Sequence, residues 1–116
     1  MATCLCFLRV RDIAPTIRWY ERLGFECVAT HEEPGCELDW ALLDFKGARF
    51  MLYPQLEKES EIRDAGLYFL VDSIDDLVPV VQREAEVIEI SDRTAYGKRE
   101  IVFRDLNGFQ ITFGCD

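Results

Sequence analysis

The chain has 116 residues, of which 49% are apolar and 30% are charged, and its formal net charge is −9. This length and apolar content predict one compact domain with a core and exclude a disordered chain. The negative charge argues against nucleic-acid binding, because the phosphate backbone would be repelled.

The first half of the chain predicts a strand, a helix and three further strands. Residues 4–11 form a run of apolar and β-compatible side chains typical of a strand. Asp12 is placed to cap the helix that follows, with Pro15 in its first turn and Gly24 as its stop. The apolar positions of this helix are Ile13, Ile17, Tyr20 and Leu23. The remaining strands are predicted at residues 25–30, 37–44 and 48–53.

Residues 55–65 are rich in charged side chains and predict a solvated linker. After the linker, the same order of elements is predicted again. The four strands of this second half are predicted at residues 67–72, 87–90, 100–104 and 109–113. The helix between the first two strands has its apolar stripe at Ile74, Leu77, Val78 and Val81. Pro79 must fall in the first turn of this helix or kink it.

The two halves align at a fixed offset of 61 residues. Val10 then matches Val71, and the Asp-x-x-Gly turn at residues 44–47 matches the turn at 105–108. This self-similarity predicts two copies of one βαβββ module, residues 1–54 and 66–116, in an α+β fold. A single helix can cover only one face of its sheet. The other face must therefore meet the second module, a second chain or a ligand.

Two segments resemble the vicinal oxygen chelate superfamily, which contains glyoxalase I, bleomycin-resistance and fosfomycin-resistance proteins, and extradiol dioxygenases. Residues 7–13 and 19–25 are similar to the family's Val-x-Asp and Tyr-x-x-x-Leu-Gly-Phe motifs. Residues 96–108 are similar to its Gly-x-Arg-Glu…Asp-Pro-x-Gly segment, with Leu106 where proline is common. The resemblance implies that the sheets of the paired modules curl around a cleft, commonly in a homodimer.

Metal-dependent members of the family take two ligands from each module, usually His on the first strand and Glu on the last. The resemblance places these positions at Leu5, Met51, Gly66 and Thr112. None of these side chains is a good donor for a hard or borderline cation. The sole histidine, His31, lies in a polar stretch that predicts a turn. We therefore expect no catalytic metal and no cofactor.

Strand side chains alternate between faces, so the ligand positions of the family mark the face that lines the cleft. The middle strands have no such marker, and either Trp40 with Ile101 or Asp39 with Glu100 could point inward. The predicted ligand-binding residues are Phe7, Arg9, Trp40, Arg49, Met51, Tyr53, Tyr68, Phe103, Gln110 and Thr112. Aromatic walls with a few polar groups are typical of small-molecule pockets, although the same aromatics could form a second core or a dimer interface.

The resemblance and the missing ligands together predict a protein of the bleomycin-resistance type. It would sequester a planar small molecule in a dimer cleft without a metal. The alternative is a lyase, isomerase or dioxygenase of the same superfamily. It would use either a metal site at other positions or metal-free acid–base catalysis, with a base among Glu37, Asp39, Glu100 and Tyr68. A third possibility is a module that serves only assembly. Inward arginines favour a ligand with a carboxylate, whereas the net charge favours a basic ligand, and this conflict stays open.

The five cysteines include no C-x-x-C pair, which argues against a zinc ribbon. We expect them to be small buried apolar side chains in a reducing cytosol, and so expect a cytoplasmic protein. No apolar run approaches the ~20 residues that cross a bilayer, and the first residues do not resemble a signal peptide.

Overall fold

The computed structural model of the protein describes residues 1–56 and 64–116. Two compact units divide between residues 61 and 62. Each unit has four strands and one helix in the order βαβββ, which confirms the predicted α+β fold of two modules. Most of the predicted linker, residues 57–63, lies outside the described part of the chain. None of the described helices is long and apolar enough to cross a membrane.

Unit one contains one helix and one four-stranded sheet. Its elements are β1 (Cys6–Val10), α1 (Ile13–Arg22), β2 (Glu26–Glu32), β3 (Leu38–Phe45) and β4 (Ala48–Pro54). The strand order is β1-β4-β3-β2. β1 is parallel to β4, and the other neighbours are antiparallel. Each predicted element of the first module is present, with ends that differ by a few residues.

Helix α1 begins and ends where the sequence predicts. Asp12 has the extended backbone of an N-cap, and the Thr16 hydroxyl donates a 2.7 Å hydrogen bond to the Asp12 carbonyl. The chain leaves the helix at Gly24, whose φ of +101° suits a residue without Cβ. Tyr20 lies on the buried face of α1, and its ring lies 5.2 Å from that of Phe50 in the core. α1 therefore covers one face of the sheet.

Unit two repeats this arrangement. Its elements are β5 (Gly66–Leu70), α2 (Leu77–Glu84), β6 (Glu86–Ser91), β7 (Arg99–Arg104) and β8 (Gln110–Cys115). The strand order is β5-β8-β7-β6, with β5 parallel to β8. Pro79 falls in the first turn of α2, where its missing N–H leaves no hydrogen bond unmade. Ile74, Leu77 and Val81 are buried, which agrees with the predicted stripe.

The last hairpin of unit two is one residue longer than that of unit one. Between β3 and β4, Phe45 pairs with Ala48 across two residues. Between β7 and β8, the Asp105 amide donates to the Phe109 carbonyl across three residues, at 2.9 Å. The Asp105 carboxylate stabilises this longer turn by accepting hydrogen bonds from the Asn107 and Phe109 amides. The offset between modules is thus 61 residues on β8 but 60 on β7.

This extra residue corrects two predictions. The counterpart of Trp40 is Glu100, not Ile101, because β7 is displaced by one position. Phe103 was predicted to line a cleft but is fully buried on the helix side of the sheet. Its ring lies 5.4 Å from that of Phe113. Ile101 is fully buried on the same face. Phe103 therefore belongs to the core of unit two.

The predicted burial of the cysteines is wrong for most of them. Cys115 is buried and Cys27 is partly exposed, whereas Cys4, Cys6 and Cys36 are exposed. All five are free thiols. Cys4 and Cys6 are exposed because both lie at or before the start of β1. The first fully buried residues on this strand are Leu8 and Val10.

Candidate functional site

The open face of the unit-one sheet carries a pocket of about 600 Å³. It lies across the ends of all four strands of the unit. The lining residues are Arg9, Thr30, His31, Asp39, Trp40, Tyr53 and Pro54. Three of these, Arg9, Trp40 and Tyr53, belong to the predicted ligand-binding set. The structure therefore brings residues from β1, β3 and β4 together in one site, because these strands are neighbours in the sheet.

Arg9 is held against aromatic rings at one wall of this pocket. Its guanidinium carbon lies 5.5 Å from the centre of the Phe7 ring and 5.6 Å from that of Tyr53. The two rings meet edge to face at 5.1 Å. One Arg9 nitrogen, Nη1, donates a 3.2 Å hydrogen bond to the Pro54 carbonyl. These contacts present a planar cation beside a planar apolar surface.

His31 forms the opposite side of the pocket. The predicted turn at this position is wrong, since His31 lies within β2 and pairs with Trp40 across the sheet. Its Nδ1 lies 2.7 Å from Oδ1 of Asp39. The hydrogen bond to Asp39 and the charge of that carboxylate raise the pKa of His31. The two side chains meet because β2 and β3 are neighbours in the sheet. Their separation along the sequence gives no sign of this contact.

His31, Glu33 and Asp39 are the only described residues grouped closely enough to suggest a metal site, with one ligand atom from each within 4.8 Å of the others. His31 and Glu33 are exposed and Asp39 is partly exposed. The Nδ1 of His31 already bonds Asp39, so a metal would have to replace this hydrogen bond or use Nε2. Two of the three residues, His31 and Asp39, line the pocket described above.

The family's ligand positions do not fit a divalent metal. Phe7 pairs with Met51 in unit one, and Tyr68 pairs with Thr112 in unit two, so both of these last-strand positions are opposite aromatic side chains. Leu5 precedes β1, and Gly66 begins β5. None of the four positions supplies an imidazole, a carboxylate or a thiolate, which are the usual donors in catalytic metal sites.

Arg49 lies apart from the pocket, at the hairpin between β3 and β4. Its Nε donates a 2.8 Å hydrogen bond to Asp44, which pairs with it across the hairpin. The hydrogen bond from Arg49 and one from the Gly47 amide hold the pKa of Asp44 below its usual value. Met51 lies next to Phe7 on the open face and is half-buried. Arg49 therefore stabilises a turn in unit one.

Unit two has a polar cluster on the open face of its sheet. The hydroxyls of Tyr68 and Tyr96 each donate a 2.6 Å hydrogen bond to Oε2 of Glu100. The Glu100 side chain is only 6% exposed, whereas Tyr68 and Tyr96 are 48% and 66% exposed. Distances this short are typical of a hydroxyl that donates to an ionised carboxylate. Glu100 is thus a buried anion between two exposed tyrosines.

Gly114 makes room for this cluster. A Cβ at position 114 would lie 1.9 Å from the Tyr68 hydroxyl oxygen. The hydroxyl end of Tyr68 therefore rests on the backbone of β8 although much of its ring is exposed. Burial of the hydroxyl and its bond to Glu100 raise the pKa of Tyr68 far above its usual value. The bond to Glu100 also raises the pKa of Tyr96.

The four residues predicted as candidate catalytic bases lie in different places in the structure. Tyr68 keeps its proton at neutral pH, which disfavours it as a base. Asp39 lines the unit-one pocket of about 600 Å³, whereas Glu37 lines a smaller pocket of about 460 Å³ beside Arg11. Glu100 belongs to the unit-two cluster, near Thr112. Gln110, which was predicted to bind a ligand, is exposed at the start of β8. The sequence did not predict three residues of these sites: Thr30, Pro54 and Tyr96. Thr30 could have been predicted if the position of β2 beside β3 in the sheet had been known.

The sequence matches a family model, and the fold matches solved structures. The Glyoxalase/Bleomycin resistance protein/Dioxygenase superfamily model matches residues 3–113. No curated protein sequence matches the chain. The solved structure of TioX from Micromonospora sp. ML1 is similar with a TM-score of 0.79 and 20% identity, covering 99% of this chain and 96% of that one.

Two further solved structures share the fold. A bleomycin-binding protein complexed with bleomycin has a TM-score of 0.78 and 14% identity, covering 100% of this chain and 99% of that one. A virulence protein from Salmonella typhimurium has a TM-score of 0.73 and 28% identity, covering 99% of this chain and 96% of that one. The family model matches nearly the whole chain, in agreement with the βαβββ repeat and the shared fold, and the chain therefore belongs to the glyoxalase/bleomycin resistance protein/dioxygenase superfamily.

Proposed function

We propose that the protein binds and sequesters a planar, antibiotic-like small molecule in the unit-one pocket, without a metal. The observation that carries this proposal is the pocket of about 600 Å³ with Trp40, Tyr53 and Arg9 in its lining. Its volume is within the range of small-molecule sites. Aromatic side chains favour planar ligands through offset or edge-to-face contacts.

The polar groups of the pocket define the ligand further. Arg9 favours a carboxylate or carbonyl oxygen near the stacked ring, because a guanidinium donates two parallel hydrogen bonds. His31 and Asp39 add a hydrogen-bonding pair on the opposite side. The structural likeness to a protein that binds bleomycin supports small-molecule binding in this fold. Sequestration requires no reacting group, which agrees with the donors missing at Leu5, Met51, Gly66 and Thr112.

Calorimetric titration with bleomycin and other planar antibiotics tests the proposal. Binding with one site per chain is expected for at least one compound. Trp40→Ala should weaken that binding severalfold, up to about tenfold, because it removes a stacking surface worth about 0.5–1.5 kcal/mol. Trp19→Phe is the matched control, since Trp19 is buried in the core of unit one. Equal affinities of the Trp40→Ala variant and the unchanged protein would contradict the pocket's role.

A second candidate is a lyase, isomerase or dioxygenase that uses a metal beside the unit-one pocket. The specific observation in its favour is the grouping of His31, Glu33 and Asp39. Three protein ligands and an open position are the usual composition of a catalytic metal site. Elemental analysis of protein purified without chelators tests this candidate. One tightly held metal per chain that is lost in His31→Ala would favour the enzyme over sequestration.

A homodimer in the cytoplasm forms part of the same proposal. Phe7 in unit one and Tyr68 and Leu70 in unit two are large side chains exposed on open sheet faces. Exposed apolar patches often mark association surfaces. Light scattering should give twice the chain mass, and Leu70→Glu should shift it toward the monomer. The five free thiols agree with a reducing compartment, which cell fractionation would test.

A further inference from the structure

We infer that Glu100, Tyr68 and Tyr96 form a binding subsite in unit two for the alkylammonium group of a ligand. This inference does not depend on the unit-one pocket. It starts from Glu100, a residue that is 6% exposed and whose carboxylate accepts both tyrosine hydroxyls on one oxygen, Oε2. The two donors converge on the same atom and leave the other oxygen, Oε1, for a third partner.

Oε1 of Glu100 is open to a ligand. Among residues 1–56 and 64–116, the side-chain hydrogen bonds of Glu100 are those from the two tyrosines, both to Oε2. Every fully buried side-chain oxygen or nitrogen in the described part of the chain has a hydrogen-bond partner. Oε1 has none there, so it is accessible to solvent. A carboxylate oxygen in this setting accepts an N–H group or attracts a cation.

The neighbouring cations do not neutralise Glu100. Arg99 Nη2 lies 2.8 Å from Asp75, and Lys98 Nζ bonds Asp116. Glu89 adds a further negative charge close enough to raise the pKa of Tyr96. Within the described residues, Glu100 forms no ion pair. A buried carboxylate without a counter-ion is stabilised by a cation, which selects a positively charged group over a neutral one.

The two tyrosines supply aromatic surface at the same place. Both rings are about half exposed or more, while their hydroxyls are fixed on Glu100. Aromatic faces attract ammonium groups, and rings beside an anion form the usual recognition site for alkylated ammonium. Gly114 is required for this arrangement because any Cβ there would displace Tyr68. The subsite is thus built by three side chains and one glycine.

Choline and its uncharged isostere 3,3-dimethylbutan-1-ol test the inference directly. Each is titrated at constant ionic strength into ¹⁵N-labelled protein, and the amide signals of residues 68, 96, 100 and 114 are followed. Choline should shift these signals saturably, and the isostere should bind at least about tenfold more weakly. Equal binding of the two compounds would overturn the inference. Binding of bleomycin in the unit-one pocket would be unaffected by that outcome.

Glu100→Gln should weaken choline binding about tenfold or more, because glutamine keeps an acceptor for both tyrosines but removes the charge. Glu86→Gln is the matched control, with the same loss of charge at an exposed position of β6. Tyr96→Leu is a second variant that removes an exposed ring and should weaken binding severalfold. Unchanged affinity in Glu100→Gln, or an equal loss in Glu86→Gln, would show that Glu100 is not the binding group.

Discussion

The guanidinium carbon of Arg9 lies 5.6 Å from the centre of the Tyr53 ring, on the strand that pairs with β1 in parallel. Arg9 and Tyr53 are register partners, so the sheet itself fixes their separation. The bond from Arg9 to the Pro54 carbonyl holds the side chain along β4. This arrangement leaves the planar cation ordered before any ligand arrives, which lowers the entropy cost of binding.

Arg9→Lys should reduce the affinity for a planar ligand more than it reduces stability. Lysine keeps the charge but loses the planar fork and its stacking on Tyr53. We expect affinity to fall about tenfold, and the free energy of unfolding to change by less than about 1 kcal/mol. Calorimetry and urea denaturation measure the two quantities. Arg18→Lys, at an exposed position of α1, should leave both unchanged.

Gly114→Ala should destabilise unit two by about 1–3 kcal/mol, because its Cβ would lie 1.9 Å from the Tyr68 hydroxyl. The loss should largely disappear when Tyr68→Ala is added, since the clash then has no partner. A double-mutant cycle in urea measures this coupling. Additive effects of the two substitutions would show that Tyr68 does not rest on Gly114.

The pKa of His31 should lie above the ordinary histidine value of 6.5, because the hydrogen bond to Asp39 stabilises the imidazolium. A raised pKa in the folded state means that the stabilisation is fully present below pH 6.5 and is lost as the pH rises through the folded pKa. Proton NMR of the sole histidine measures this value directly. Asp39→Asn should return it toward the ordinary histidine pKa. A wild-type value at or below that of Asp39→Asn would contradict the hydrogen bond.

Phe103→Ala should lower the free energy of unfolding by about 3–5 kcal/mol, because Phe103 is fully buried and packs on Phe113. Val102→Ala on the opposite face of β7 should cost about 1 kcal/mol, because Val102 is partly exposed. Thermal or urea unfolding distinguishes the two. If Val102→Ala were the costlier change, Val102 and not Phe103 would face the helix. The offset between the modules would then be 61 residues on β7 as well.

Local patterns predicted most of the fold. The α1 stop at Gly24 and the first-turn position of Pro79 each depend on one residue's backbone chemistry, and both are as expected. On β1, β4 and β5 the alternation of side chains is as predicted, with Leu8, Leu52 and Phe69 buried on the helix side. The repeat predicted the element order because each module needs the same strands and helix to bury its core.

The middle strands could not be predicted because their register depends on a turn. One extra residue in the β7–β8 hairpin reverses which β7 side chains face the helix, and the sequence of that turn does not reveal its length. The contact of His31 with Asp39 depends on the order of strands in space. The Tyr68–Glu100–Tyr96 cluster likewise depends on β5, β7 and β8 being neighbours. Such contacts join residues that are distant along the chain.

The function proposed for this protein requires that a planar molecule bind at Trp40 in the unit-one pocket. The fluorescence of Trp40 in a Trp19→Phe background, titrated with bleomycin and a panel of planar antibiotics, tests it most directly, because the chain has only two tryptophans. We predict a saturable change in intensity or wavelength for at least one compound, weakened about tenfold by Arg9→Lys. A folded protein whose Trp40 emission responds to none of these compounds would contradict the claim.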